Sequence, residues 1–193
     1  MPLLEPAPFA SFADLERDAL ACTRCPLAET RTQVVFGVGD PDADLMFVGE
    51  GPGEQEDLTG EPFVGRAGRL LTGLIEGIGL SRERVYIANV VKCRPPGNRD
   101  PLPLEIETCR PYLEAQIEFI DPRVVVTLGN FATKLLLATK DGITKLRGQE
   151  FAFRDHAVLI PVLHPSAVLR NGGAALAQAR ADFVVIRRAL PAA

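Results

Sequence analysis

No stretch of this chain is long and apolar enough to cross a bilayer. The longest unbroken apolar run, Ala157–Leu163, is far short of the ~20 residues a spanning helix needs. The first residues, Met1–Phe12, carry neither the basic start nor the apolar segment of a secretory signal. A cytoplasmic protein with no membrane partner is therefore expected. Positive charge is not in excess either. The formal net charge of −4 gives no global attraction for a polyanion, although a local basic patch can act where the total does not. Internal repeats and low-complexity tracts are also missing, which excludes solenoids and arrays.

What remains is an ordinary globular composition, 47% apolar and 24% charged over 193 residues. That length suits one domain with a sizeable core. A single domain over residues 1–193 is expected, with 1–8 and 190–193 loose, and nothing calls for more than a monomer. Ser11 is placed to cap a helix over Phe12–Ala21. Asp44–Gly49, Val85–Val91 and Arg123–Leu128 read as buried parallel strands. Gln149–Phe153 and Ala157–Leu163 read as a strand pair. Helices are expected over Ala67–Ile78, over Leu104–Ile120 with a kink or break at Pro111, from Gly129–Asn130 to about Ala138, and over Ala174–Leu190. The stretches from Gly49 to about Gly65 and from Lys92 to Pro103 read as loops.

Strand–helix alternation predicts an α/β fold, a parallel sheet with helices on both faces. Ligands of such sheets bind beyond the carboxyl ends of the strands. That edge collects Glu50, Gly51, Asn89, Gly129, Asn130 and His164, so an acid, an amide and an imidazole converge.

Four cysteines are present: Cys22, Cys25, Cys93 and Cys109. In an intracellular chain this set points to a metal rather than to disulfides. The Cys22–Cys25 spacing puts two thiolates within reach of one metal atom. The wide Cys93–Cys109 separation is not that of a zinc ribbon, and four thiolates suit zinc or an iron–sulfur cluster alike.

Gly49–Asp57 follows a strand but lacks the Gly-Lys-Ser/Thr ending of a P-loop and the Rossmann glycine spacing. Its four acids, Glu50, Glu54, Glu56 and Asp57, would repel phosphate. The glycines fit a close backbone approach to a flat neutral ligand; the plain alternative is a surface turn with solvated acids. His164–Arg170 reads as a loop after a long apolar strand. Ser166 and Arg170 are phosphate-binding types, and Val168 or Leu169 could wedge between bases.

Taken together, Cys22-x-x-Cys25, Gly49–Asp57, Glu61–Gly68, Ala88–Arg94, Cys109 and His164–Arg170 resemble the family 4, iron–sulfur uracil-DNA glycosylases. The match runs from about Ala21 to Arg170. The resemblance implies a three-layer α/β/α sandwich around a four-stranded, mainly parallel sheet, with a [4Fe-4S] cluster on the four cysteines. It implies removal of uracil from single- or double-stranded DNA, with free uracil released and an abasic site left. His164 and Glu50 would be catalytic. Glu50, Gly51, Phe63, Asn89 and His164 would bind uracil, with Phe63 stacking on the flipped base. Gly53 and Glu56 are candidates for excluding thymine. Ser166, Val168, Leu169, Arg170, Lys92, Arg94 and Arg99 would contact DNA.

Another branch of that superfamily has Asp at the position of Gly51. Glycine cannot orient water there, so the water-activating group is open. Thr144–Glu150 lacks the basic, His-containing insertion of a branch that links covalently to DNA, and ordinary turnover is expected. Two other classes compete with this reading. A non-catalytic iron–sulfur DNA-binding module of the same fold would lack Asn89 or His164. A small electron-transfer protein would leave Phe63 and the His164–Arg170 segment without a use.

Overall fold

The computed structural model describes residues 9–191; of the ends expected to be loose, 1–8 and 190–193, residues 1–8 and 192–193 lie outside them, whereas Leu190 and Pro191 are described. In chain order the elements are α1 (Phe12–Leu20), β1 (Val38–Gly39), β2 (Leu45–Gly49), α2 (Glu54–Thr59), α3 (Arg66–Glu76), β3 (Tyr86–Asn89), α4 (Pro103–Ile120), β4 (Val124–Leu128), α5 (Asn130–Leu137), α6 (Ile143–Leu146), β5 (Phe151–Phe153), β6 (Ala157–Val162), α7 (Pro165–Asn171) and α8 (Gly173–Ala189). Among the described residues, no helix is long and apolar enough to cross a membrane.

Six strands form one sheet in the order β1-β3-β2-β4-β6-β5. The inner four are parallel, with Phe47 of β2 beside Ile87 of β3 and Val126 of β4. Val126 in turn pairs with Ile160 of β6. The expected four parallel strands are thus the centre of a wider sheet. The two-residue β1 and the three-residue β5 add short antiparallel edges. Edges this short offer little template for pairing with another chain.

The inner strands are buried on both faces, and their side chains alternate between two cores. Met46, Val48, Ala88 and Val125 pack with residues of α1, α4 and α5 on one side. Leu45, Phe47, Ile87, Val126 and Ile160 pack with residues of α3, α7 and α8 on the other. This is the expected three-layer sandwich.

Three local features differ from expectation. The supposed loop after β2 contains α2, whose first turn holds Glu54, Glu56 and Asp57, acids that favour a helix N-terminus. The His164–Arg170 stretch is also helical, as α7. Pro111 does not break α4, which runs through it for 18 residues. Pro111 and Glu107 are both exposed, so the Glu107 carbonyl that lacks an N–H partner there faces solvent. Ser11 caps α1 as expected, its hydroxyl oxygen accepting from the Asp14 amide at 3.1 Å.

The Phe47 ring is fully buried and stacks on Phe183 of α8, centroids 5.8 Å apart. Phe47→Ala should destabilise the fold by roughly 3–5 kcal/mol, read as a lower midpoint in denaturant unfolding.

Candidate active site

A cleft of about 860 Å³ opens where β2, β3, β4 and β6 end. It is lined by Glu50, Gly51, Gly53, Glu56, Phe63, Asn89, His164, Ser166 and Arg170, with Arg66, Arg99, Asp100 and Lys134 around them. Residues from opposite ends of the chain meet there because parallel strands bring all their carboxyl ends to one edge.

Asn89 closes β3 and is 1% exposed. Its Oδ1 is one of only two buried side-chain polar atoms among the described residues without a hydrogen-bond partner. Such an orphan acceptor costs roughly 1–3 kcal/mol, and its presence in a cleft marks a place for a ligand donor. Gly49 lies against it: a Cβ there would stand 2.3 Å from Asn89 Oδ1 and 2.7 Å from Phe63 Cζ. Only glycine keeps that floor open.

Phe63 is held in left-handed backbone geometry, φ 55°, a cost that neighbouring contacts must offset. Glu56 offsets it. One carboxylate oxygen accepts from the Val64 and Gly65 amides, each at 3.0 Å, while the other accepts from the Gly53 amide at 3.1 Å. Arg82 donates to the Pro62 carbonyl from the other side. Gly68 of α3 admits the loop, since a Cβ there would lie 1.7 Å from the Phe63 carbonyl oxygen. Asp57 is likewise internal, accepting from the Thr32 amide at 2.9 Å. Two of the four loop acids thus organise the backbone, and the reading of a turn with solvated acids does not hold for them.

His164 caps α7. Its Nδ1 accepts from the Ser166 amide at 3.2 Å and lies 2.7 Å from Ser166 Oγ. A main-chain N–H only donates, so Nδ1 carries no proton and the neutral ring bears its hydrogen on Nε2. Burial, with the positive charge of Arg170 adding to it, pulls the imidazole down to about 4. The ring is a wall of the cleft beside Phe63, centroids 5.9 Å apart and tilted by 38°. Gly129 backs it: a Cβ there would stand 2.9 Å from His164 Cβ. Glu50 is half-buried, and burial followed by the neighbouring Asp100 carboxyl raises its carboxyl above the ordinary value.

The DNA-contact set divides. Lys92 is 2% exposed, so it cannot reach a phosphate. Its Nζ donates to the Asn89 carbonyl at 2.7 Å and to Gln116 Oε1. The apolar alternation that buries β3 carries on past its end and takes this side chain with it. Val168 is 2% exposed and packs in the core, whereas Leu169 is 41% exposed; of the two wedge candidates, only Leu169 can reach a partner. The Ser166 hydroxyl is engaged with the imidazole rather than free for a phosphate. Arg99 is chelated by Glu105, at 2.9 and 2.6 Å. Arg94 bonds Asn98 at 2.7 Å and does not line the cleft. Besides Arg99, the cations that line the cleft are Arg170, Arg66 and Lys134. Arg66 and Lys134 had no signal in the sequence beyond charge, and Asp100 none beyond its place in a Pro-rich loop.

Cys22, Cys25, Cys93 and Cys109 line a second, small cavity with Arg24, Arg31, Lys92 and Tyr112. The Lys92 amide donates to Cys109 Sγ and the Arg31 guanidinium to Cys93 Sγ, each at 3.3 Å. Burial pushes the Cys93 thiol up to about 11 and raises Cys109 as well, so bare thiolates there need a cationic partner. Among the described residues, no three potential ligands converge on a single-ion site.

The imidazole assignment makes a prediction. The folded state resists a proton that the unfolded chain accepts. The stability contributed by neutral His164 is therefore present above the unfolded value of ~6.5 and lost as pH falls toward about 4. NMR titration should show the His164 ring changing charge near the lower value, and a midpoint near 6.5 would contradict its burial.

Comparison with known proteins bears on most of the chain. The uracil DNA glycosylase superfamily matches residues 36–190. A type-4 uracil-DNA glycosylase of Thermotoga maritima is 54% identical over 78% of this chain and 79% of its own length. The type-4 enzyme of Sulfurisphaera tokodaii is 46% identical over 83% and 77%. That of Archaeoglobus fulgidus is 46% identical over 82% and 83%. With identity at this level over most of both chains, on a three-layer fold with the cleft at its carboxyl edge, this chain belongs to the type-4 uracil-DNA glycosylases of the uracil DNA glycosylase superfamily.

Proposed function

We propose that the chain hydrolyses the N-glycosidic bond of deoxyuridine in DNA, releasing uracil and leaving an abasic site. The observation that carries this is the pairing of an unsatisfied amide oxygen on Asn89 with a neutral imidazole donor on His164 in one cleft. A base must leave the duplex stack to be processed, and the cleft has room for an extruded nucleotide.

Asn89 reads the pyrimidine edge. Its Oδ1 accepts from N3–H and its amide donates to O4. Cytosine reverses that pattern and would leave buried groups unpaired, which discriminates strongly. Phe63 stacks on the ring. His164 donates Nε2–H to O2, where negative charge grows as the glycosidic bond breaks. A donor placed in advance on developing charge is worth ~3–4 kcal/mol. Glu50, or water held by it, stabilises the sugar cation or directs the attacking water. Arg170 contacts phosphate and Leu169 fills the gap left by the extruded base. Gly53 and Glu56 stay as candidates for excluding thymine, with Glu56 acting through the loop it ties down.

The four cysteines would hold a [4Fe-4S] cluster. Their shared cavity and their N–H···S donors support this, and four thiolates are the ligand set such a cluster takes. When bound, the cluster supplies a covalent anchor rather than chemistry on the base. Cys22 and Cys25 at the end of α1, Cys93 after β3 and Cys109 on α4 would hold it, which would tie these three segments together.

His164→Ala should fold and bind DNA as wild type while losing excision about 100- to 1,000-fold, measured by single-turnover uracil release beside fluorescence anisotropy. An unchanged rate would remove the imidazole from the mechanism. The purified protein should be brown, with broad absorption at the visible–ultraviolet edge, and Cys109→Ser should bleach it.

A further inference from the structure

Lys92 is spent on neither solvent nor DNA. Its side chain bridges the Asn89 carbonyl and Gln116 Oε1 inside the protein. Gln116 is itself fixed, its Nε2 donating to the Phe36 carbonyl at 2.8 Å and to the Tyr86 hydroxyl at 3.2 Å. The Lys92 main chain is held as well: its carbonyl accepts from the Val35 amide at 2.7 Å and its amide donates to Cys109. One residue therefore ties the last carbonyl of β3 to α4, to the chain before β1 and to the cysteine cavity.

We infer that Lys92 is a positioning residue for base reading: by holding the Asn89 carbonyl it fixes where the Asn89 amide points. Among the described residues, no hydrogen bond holds that amide itself. Its Oδ1 is without a partner, so its direction must come from the backbone that carries it. The Asn89 carbonyl ends a strand, where the ladder no longer constrains it, and Lys92 Nζ at 2.7 Å takes the place of a ladder donor. The inference rests on the proposed reading of uracil by Asn89 and adds the part that holds the reader in place.

The test is a double-mutant cycle with Lys92→Met and Asn89→Ala. Methionine keeps much of the buried length but donates nothing. Lys92→Met should lower kcat/KM on uracil DNA by about 10- to 100-fold, the usual scale for loss of a supporting hydrogen bond. It should narrow the preference for uracil over cytosine while retaining the visible absorption of the cysteine site. In the Asn89→Ala background the same change should cost little more, because its effect passes through Asn89. Gln116→Met, which removes the acceptor and leaves Lys92, should give a smaller loss of the same non-additive kind and serves if Lys92→Met does not fold. Additive losses, or activity and absorption lost together, would overturn the inference. A wild-type protein inert on uracil DNA would overturn the functional reading, and this inference with it.

Discussion

An amide oxygen buried without a partner is the constraint around which the rest of this structure is arranged. Left alone, Asn89 would turn toward water or toward a neighbouring donor. It stays because the strand is buried on both faces, because Gly49 leaves no side chain to meet it, and because Lys92 and Gln116 grip the backbone beneath it. Phe63 and His164 are held with similar force, one by Glu56 and Arg82, the other by the Ser166 amide and Gly129. The walls of the cleft are therefore tied down by bonds within the protein itself, and donors fixed in this way can act on developing charge with little rearrangement.

The membership of the chain among the type-4 uracil-DNA glycosylases gives this arrangement its reading, and the geometry supplies a division of labour. The strand ends hold the polar groups of the cleft. The loop between β2 and α3 supplies its aromatic wall. The cysteine cavity lies behind the segment after β3, close to the backbone of Asn89 yet lined by none of the side chains of the cleft.

Much of the fold was legible because parallel strands buried on both faces are near-continuous apolar runs, and Leu45–Gly49 and Val124–Leu128 could hardly be anything else. Of the two edge strands, β5 was legible as the partner of β6 in the expected Gln149–Phe153 and Ala157–Leu163 pair, whereas β1 escaped notice because two residues carry no period. The helix after β2 hid behind its glycines, and its start is betrayed only by acids whose helical value depends on spacing along the turn. At the site, residue type pointed to Glu50, Phe63, Asn89 and His164 more readily than to their supports. Lys92 shows why. A lysine in a basic loop beside an expected DNA surface looks like a phosphate contact, and nothing local says that strand burial persists through it. Val168 and Leu169 could not be told apart without the rotation of α7. Gly49, Gly68 and Gly129 matter through what they leave empty, which no spacing rule records.

Helix α7 has seven residues, with His164 at its cap and Leu169 near its far end. In the proposed reading, the group that donates a hydrogen bond to the leaving base and the group that occupies the vacated stack belong to one short rod. The protein has no hinge between them with which to tune one against the other. Alignment must come from the nucleic acid, which has to buckle until both fit at once. A lesion that loosens its own strand reaches that posture with less effort, so the stiffness of the rod itself acts as a gauge of how willingly each nucleotide yields.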